Sequence, residues 1–194
     1  LFSGIPGFFF IWAVTLQSGN ELSALESGIT TMPFPIGVLF ASIISGRLGS
    51  SRLRLRISFG ALLLAAGLAG VYITVPSQGE DLVRSAFVLP LIVAGLGLGL
   101  AISPLFQIVL YNVSSKETGS ASGALQAFQQ VGGALGLAIV GEAFFSTVHK
   151  GIALGGDAKT VFADALSNGL LFCISVFLLL AILVWRLPKP IMQI

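Results

Sequence analysis

Residues 95–113 read GLGLGLAISPLFQIVLYNV, and residues 114–136 read SSKETGSASGALQAFQQVGGALG. Two apolar, glycine-rich runs flank a short polar link that holds Lys116 and Glu117. At about 1.5 Å per residue, each run is long enough to cross the roughly 30 Å hydrocarbon layer of a bilayer. The stretch predicts a helical hairpin in a membrane. Its glycines recur four residues apart, as Gly95 with Gly99, Gly119 with Gly123, and Gly132 with Gly136. That spacing leaves a flat helix face on which another backbone can approach closely, so these six glycines are the expected packing positions.

Composition extends this reading to the whole chain. Of the 194 residues, 9% are charged and 55% hydrophobic, against about 25% charged in an ordinary soluble domain. Apolar runs of about 20 residues alternate with short polar loops, as spanning helices require. The net charge of +2 does not mark a nucleic-acid partner, because the arginines gather in one loop and no basic, aromatic-rich face is present. The single cysteine, Cys173, sits inside the last apolar run and supports neither a disulfide framework nor a thiolate metal site. No nucleophile, base and orienting group occur together, and no glycine-rich loop follows a strand. An enzyme is not expected, nor is a metal or other cofactor.

The apolar runs predict an all-α polytopic fold with helices at about 1–17, 29–46, 57–75, 86–113, 120–148 and 169–186. Pro33 and Pro35 fall in the first turns of the second run, where early N–H groups lack intrahelical partners anyway. The chain opens at Leu1 without a methionine, a basic leader or a cleavage-type sequence, and reads as a piece of a longer protein.

Orientation follows from residues 46–56, GRLGSSRLRLR, which carry Arg47, Arg52, Arg54 and Arg56 and no acid. If loops alternate sides, Lys116, Arg186 and Lys189 join these four, leaving Arg84, Lys150 and Lys159 opposite. Seven basic residues against three place both ends of the chain and the arginine loop in the cytoplasm.

Polar residues within the runs are the candidate functional groups. Ser122, Gln126 and Gln130 share one face of the fifth run, with Gln129 at its margin, and Gln107 lies at similar depth on the fourth. Amides at that depth either bond neighbouring helices or line a wet, substrate-accessible cavity. Glu142 is the only acid inside a predicted span, about 9 Å from the outer end. It is either a vestibule carboxylate that reaches water or a proton- or cation-coupling group. His149 has no second ligand one turn away and reads as a loop residue.

Several motifs carry a family resemblance: GLGLG, SPL, ETGSASG and QQVGGALGLA in the hairpin, then LQ at 16–17, SALESGITTMP at 23–33 and GRLGSSR at 46–52. Together they resemble the carboxy-terminal half of the major facilitator superfamily, in particular the fourteen-span drug/proton antiporters of the EmrB/QacA type. The resemblance implies one six-helix half of a secondary transporter in the cell membrane. It would export lipophilic, often cationic, compounds against proton entry, with substrate held near the midplane between two halves. The missing amino-terminal half, protons, lipid and a small-molecule substrate would be its partners. The resemblance also makes Gly46, Arg47 and Arg52 a cytoplasmic loop motif. Similar proteins usually place an aspartate just after GRL, where this chain has Gly49, Ser50 and Ser51. They often have proline at the position of Ala24, and some have an acid near Gln107. A facilitator for another metabolite or a self-made antibiotic, or a non-transporting helical scaffold, would share the same composition.

The charge asymmetry gives a direct test of orientation. With cysteines at Ser51, Gly79 and Gly155 in a Cys173→Ala background of the full protein, an impermeant thiol reagent should label only the last two from outside intact cells. Labelling of Ser51→Cys from outside would reverse the topology.

Overall fold

The computed structural model describes residues 1–49, 52–77, 83–110, 113–114 and 117–186. Ser51, Gly79, Lys116 and Lys189 therefore lie outside the described residues. Among the described residues all regular structure is helical: α1 (Gly4–Val14), α2 (Ala24–Thr31), α3 (Pro33–Arg47), α4 (Leu53–Ser77), α5 (Val88–Leu110), α6 (Thr118–Ala153) and α7 (Ala158–Leu183). A π-helical turn, Thr15–Gly19, extends α1, and 3-10 turns precede α5 and follow α7.

Five segments are long and apolar enough to span a bilayer: Ala24–Arg47, Leu53–Val75, Arg84–Leu110, Thr118–Ala153 and Ala158–Arg186. The protein is thus an all-α, polytopic membrane fold. Six spans were expected; α1 has 11 residues and its π turn 5, short of the roughly 17–25 that a spanning helix needs.

Local chemistry explains where the helices differ from the sequence expectation. The second begins at Ala24 rather than near 29, because Ser23 and Glu26 form a reciprocal capping box there. Its prolines consequently fall mid-span, and the helix breaks at Met32, since Pro33 has no N–H to continue the ladder. The last helix starts at Ala158 rather than near 169. Asp157 caps it, its carboxylate accepting from the backbone N–H groups of Lys159 at 3.1 Å and Thr160 at 3.4 Å.

The expected hairpin is corrected in its pairing. α5 packs against α3 and α4, α6 packs against α1 and α7, and α5 and α6 barely touch. Glycines direct this split. A Cβ at Gly95 would strike the Phe34 carbonyl, and one at Gly99 would lie 2.5 Å from the Val38 carbonyl, so both glycines seat α5 on α3. Gly97 meets α4 instead, with a Cβ 2.5 Å from the Gly60 carbonyl, and Gly60 answers with 2.6 Å to the Gly97 carbonyl. Gly136 seats α6 on the Ser3 carbonyl that leads into α1. Gly119 and Gly123 have nothing of the described residues within 4 Å, and Gly132 has only Phe2 at 3.9 Å. Regular spacing on α6 therefore does not translate into close packing along its first half.

Two groups of helices result, α3–α4–α5 and α1–α6–α7, joined along α4 and α7. At that seam the Ser58 hydroxyl donates to the Ala181 carbonyl at 2.8 Å and accepts from the Trp185 ring N–H at 3.3 Å. An aromatic cluster provides the second joint. Phe9 meets Phe34 edge to face at 4.9 Å, and Trp12 meets Phe87 at 5.1 Å. Short as it is, α1 with its π turn is well enclosed, with Phe8, Ile11, Trp12 and Leu16 all at most 1% exposed.

The glycine seam makes a stability prediction. Gly95→Ala should destabilise the full-length protein by about 1–3 kcal/mol through overpacking, whereas Gly46→Ala, with nothing of the described residues within 4 Å of its Cβ, should be near neutral. Melting temperatures in detergent will tell them apart; equal melting of the two variants would contradict the seam.

Candidate functional site

An open groove of about 810 Å³ lies between the α1 end and the α2–α3 segment. Phe9, Trp12 and Gln17 line it from α1 and its π turn, and Gly28, Thr31 and Phe34 from the other side. The Trp12 ring N–H donates to the Thr31 hydroxyl at 3.0 Å, bridging the two walls, and the Thr31 hydroxyl in turn donates to the Ser27 carbonyl at 2.8 Å. The π turn is fixed by Asn20, whose backbone and side-chain nitrogens both donate to the Thr15 carbonyl at 3.1 Å. Such turns widen a helix by one residue and recur at functional sites. At the rim, Glu26 pairs with Arg84 at 2.6 Å, tying the first turn of α2 to the turn that leads into α5. Both side chains are about 40% exposed, so the tie contributes little stability.

The candidate amides lie apart from this groove. Ser122, Gln126 and Gln130 are exposed on the first half of α6, beside Phe128, which is 79% exposed. Gln129 is half-buried, and its amide nitrogen is enclosed without a hydrogen-bond partner among the described residues. The face of α6 that turns toward the chain is therefore the one marked by Gln129, and the Gln126–Gln130 face turns away from it. Gln107 bonds within its own helix, its amide donating to the Ser103 hydroxyl at 3.2 Å. It does not reach across to α6. Glu142 and His149 are exposed near the far end of α6, and neither shares the groove with Trp12.

The sequence profile of the Major Facilitator Superfamily matches residues 1–137. The chain belongs to the Major Facilitator Superfamily. A probable actinorhodin transporter of Streptomyces coelicolor is 35% identical over 86% of this chain and 28% of its own length. A puromycin resistance protein of Streptomyces alboniger is 29% identical over 95% of this chain and 38% of its own. A tetracenomycin C resistance and export protein of Streptomyces glaucescens is 31% identical over 76% of this chain and 27% of its own. This major facilitator chain thus spans 27–38% of the length of these relatives.

In this major facilitator the link between α3 and α4 is held by an arginine that the motif reading did not select. Gly46, Arg47 and Arg52 are exposed, and a Cβ at Gly46 meets nothing within 4 Å. Arg56, only 8% exposed, donates from Nη1 to the Gly49 carbonyl at 2.6 Å and from Nη2 to the carbonyl and hydroxyl of Ser45. A guanidinium there caps the carbonyl end of α3, where the helix dipole favours a cation. Gly49 and Arg52 turn the link with φ of +57° and +49°. The sequence offered Arg52, Arg54 and Arg56 with nothing to choose between them; only the chain reversal brings Arg56 to Ser45. The Ser23–Glu26 capping box, by contrast, was a legible pattern, and it would have placed the start of α2 correctly.

Arg56→Leu should lower the stability of the full-length protein by about 2–3 kcal/mol, the scale of charge-assisted hydrogen bonds lost from buried acceptors. Arg47→Leu should leave the melting temperature unchanged. An equal effect of the two substitutions would show that the clasp does not hold the link.

Proposed function

We propose that this chain is the carboxy-terminal six-helix half of a proton-coupled exporter of lipophilic drugs and antibiotics, of the EmrB/QacA type. The observation that carries the reading is the family match over residues 1–137, together with relatives named as transporters, export proteins and resistance proteins. As a polytopic family member with no catalytic set, the protein acts by moving a solute rather than by transforming one. It resides in the cell membrane, with the arginine link and both ends of this segment on the cytoplasmic side.

On this reading the remainder of the transporter supplies the second wall of the substrate path. Exposure of Ser122, Gln126 and Gln130 supports that arrangement, because amides at this depth are too costly to leave in lipid and call for protein or water beyond the chain. Glu142, exposed near the far end of α6, stands as the candidate proton- or cation-coupling group.

The test uses the full-length protein in proteoliposomes with an imposed pH gradient. Antibiotic flux should follow the gradient and vanish when a protonophore collapses it. Gln126→Leu and Gln130→Leu should shift relative export rates among substrates several-fold while leaving protein levels intact. Gradient-independent flux would remove proton coupling, and unaltered substrate profiles in both variants would remove the amide face from the substrate path.

A further inference from the structure

We propose that α2 is a lid, hinged at Met32–Pro33 and latched by the Glu26–Arg84 pair, that swings across the groove toward α1 when the latch opens. α2 and α3 belong to one apolar span, Ala24–Arg47, at the end opposite the arginine link. The hydrogen-bond ladder of that span is cut at one place. Pro33 and Pro35 bring no N–H to the Ile29 and Thr31 carbonyls. Ile29 accepts instead from the Met32 N–H at 3.2 Å, and the first bond beyond the break, from the Ile36 N–H to the Met32 carbonyl, is long at 3.4 Å. Helices kink at such prolines, and the two arms can change their angle without breaking a further bond.

The arms are held very differently. Below the break, α3 lies backbone to backbone on α5: a Cβ at Gly37 would stand 2.5 Å from the Ile92 carbonyl, and Gly95 and Gly99 answer from the other side. Above it, α2 meets α3, the π turn and the turn before α5 only sparsely, and Leu25 is 73% exposed. The Thr30 and Thr31 hydroxyls donate to the Glu26 and Ser27 carbonyls, inside α2 itself. Two polar ties reach outward, from opposite ends. Buried Trp12 holds Thr31, next to the break, and so pins the pivot. Glu26 holds Arg84 at the free end, through an exposed pair of the kind that is weak and screened by salt. The lever is firm at its hinge and lightly fastened at its tip.

Open space lies on one side of this lever. Ala24 and Gly28 are the groove residues of α2 with little or no side chain, and a Cβ at Gly28 would meet nothing of the described residues within 4 Å. The groove is thus clearance for the swing. With its tip about 12 Å from the hinge, at about 1.5 Å per residue, a change of about 20° carries the first turn of α2 about 4 Å toward α1.

Double electron–electron resonance tests this in the purified full-length protein, made otherwise free of cysteine. Spin labels at Leu25→Cys and Leu89→Cys, both strongly exposed, measure the tip of α2 against α5. Arg84→Gln, or salt raised to about 1 M, should lengthen that distance by about 4 Å. The pair Leu39→Cys and Leu89→Cys, with Leu39 exposed on α3 below the break, should not change. Adding Pro33→Ala and Pro35→Ala, which restores the ladder, should abolish the lengthening, and so should adding Gly28→Leu, which fills the clearance. An unchanged Leu25–Leu89 distance in Arg84→Gln would overturn the latch. Equal lengthening of the Leu39 pair, or lengthening that survives the two proline substitutions, would overturn the hinge, and lengthening that survives Gly28→Leu would overturn the swing into the groove. No substrate or gradient enters these distances, so a failure of proton-driven export would leave the lid standing.

Discussion

Everything in this fold depends on how closely α5 approaches α3 and α4. Lipid tails are as apolar as leucine, so burial of leucine against leucine gives helices little reason to associate in a membrane. Packing and weak Cα–H···O contacts must supply it, and both need backbones brought near one another. Gly95 and Gly99 on one side of α5, and Gly97 on the other, put it in direct backbone contact with two neighbours at once. With α5 held between α3 and α4, its chain neighbour α6 is released to pack on α1 and α7.

That division explains how α1, only 11 residues long, holds Phe8, Ile11 and Trp12 at 1% exposure or less. α1 is enclosed by α6 and α7, and its aromatic residues reach across to Phe34 and Phe87 of the other group. The groove lies between the end of α1 and the α2–α3 segment, where Phe9, Trp12 and Gln17 face Gly28, Thr31 and Phe34. The same geometry leaves the first half of α6 with little of the chain against it, exposing amides and apolar residues alike. Cavity and unpaired face are both products of one packing decision made by glycines on α5.

The sequence made the solvent, the helical class and the approximate spans legible, because composition and run length alone constrain them. It also marked Gly95, Gly99 and Gly136 as positions without room for a side chain. Periodicity names a face, however, and not the neighbour that face meets; the same spacing that seats α5 on α3 leaves Gly119 and Gly123 bare. The groove was hidden for the same reason. Trp12 and Thr31 are 19 residues apart, and only the chain reversal after the π turn sets them 3.0 Å from one another. Gln129, placed at the margin of a polar stripe by its spacing, turns inward because α6 is oriented by Gly136 and Phe144 packing on the chain, not by its amides.

The division into two helix groups is most directly tested by cysteine cross-linking in a Cys173→Ala background of the full-length protein. Phe10 and Phe145 sit 6.0 Å apart, ring to ring, across α1 and α6, and cysteines there should join through a short bifunctional reagent. Leu89 on α5 and Ile139 would be neighbours in a sequential hairpin, but Leu89 is 70% exposed and its helix packs elsewhere. The fold predicts efficient linkage of Phe10→Cys to Phe145→Cys and none between Leu89→Cys and Ile139→Cys. The reverse pattern would restore the hairpin and contradict the glycine-directed packing.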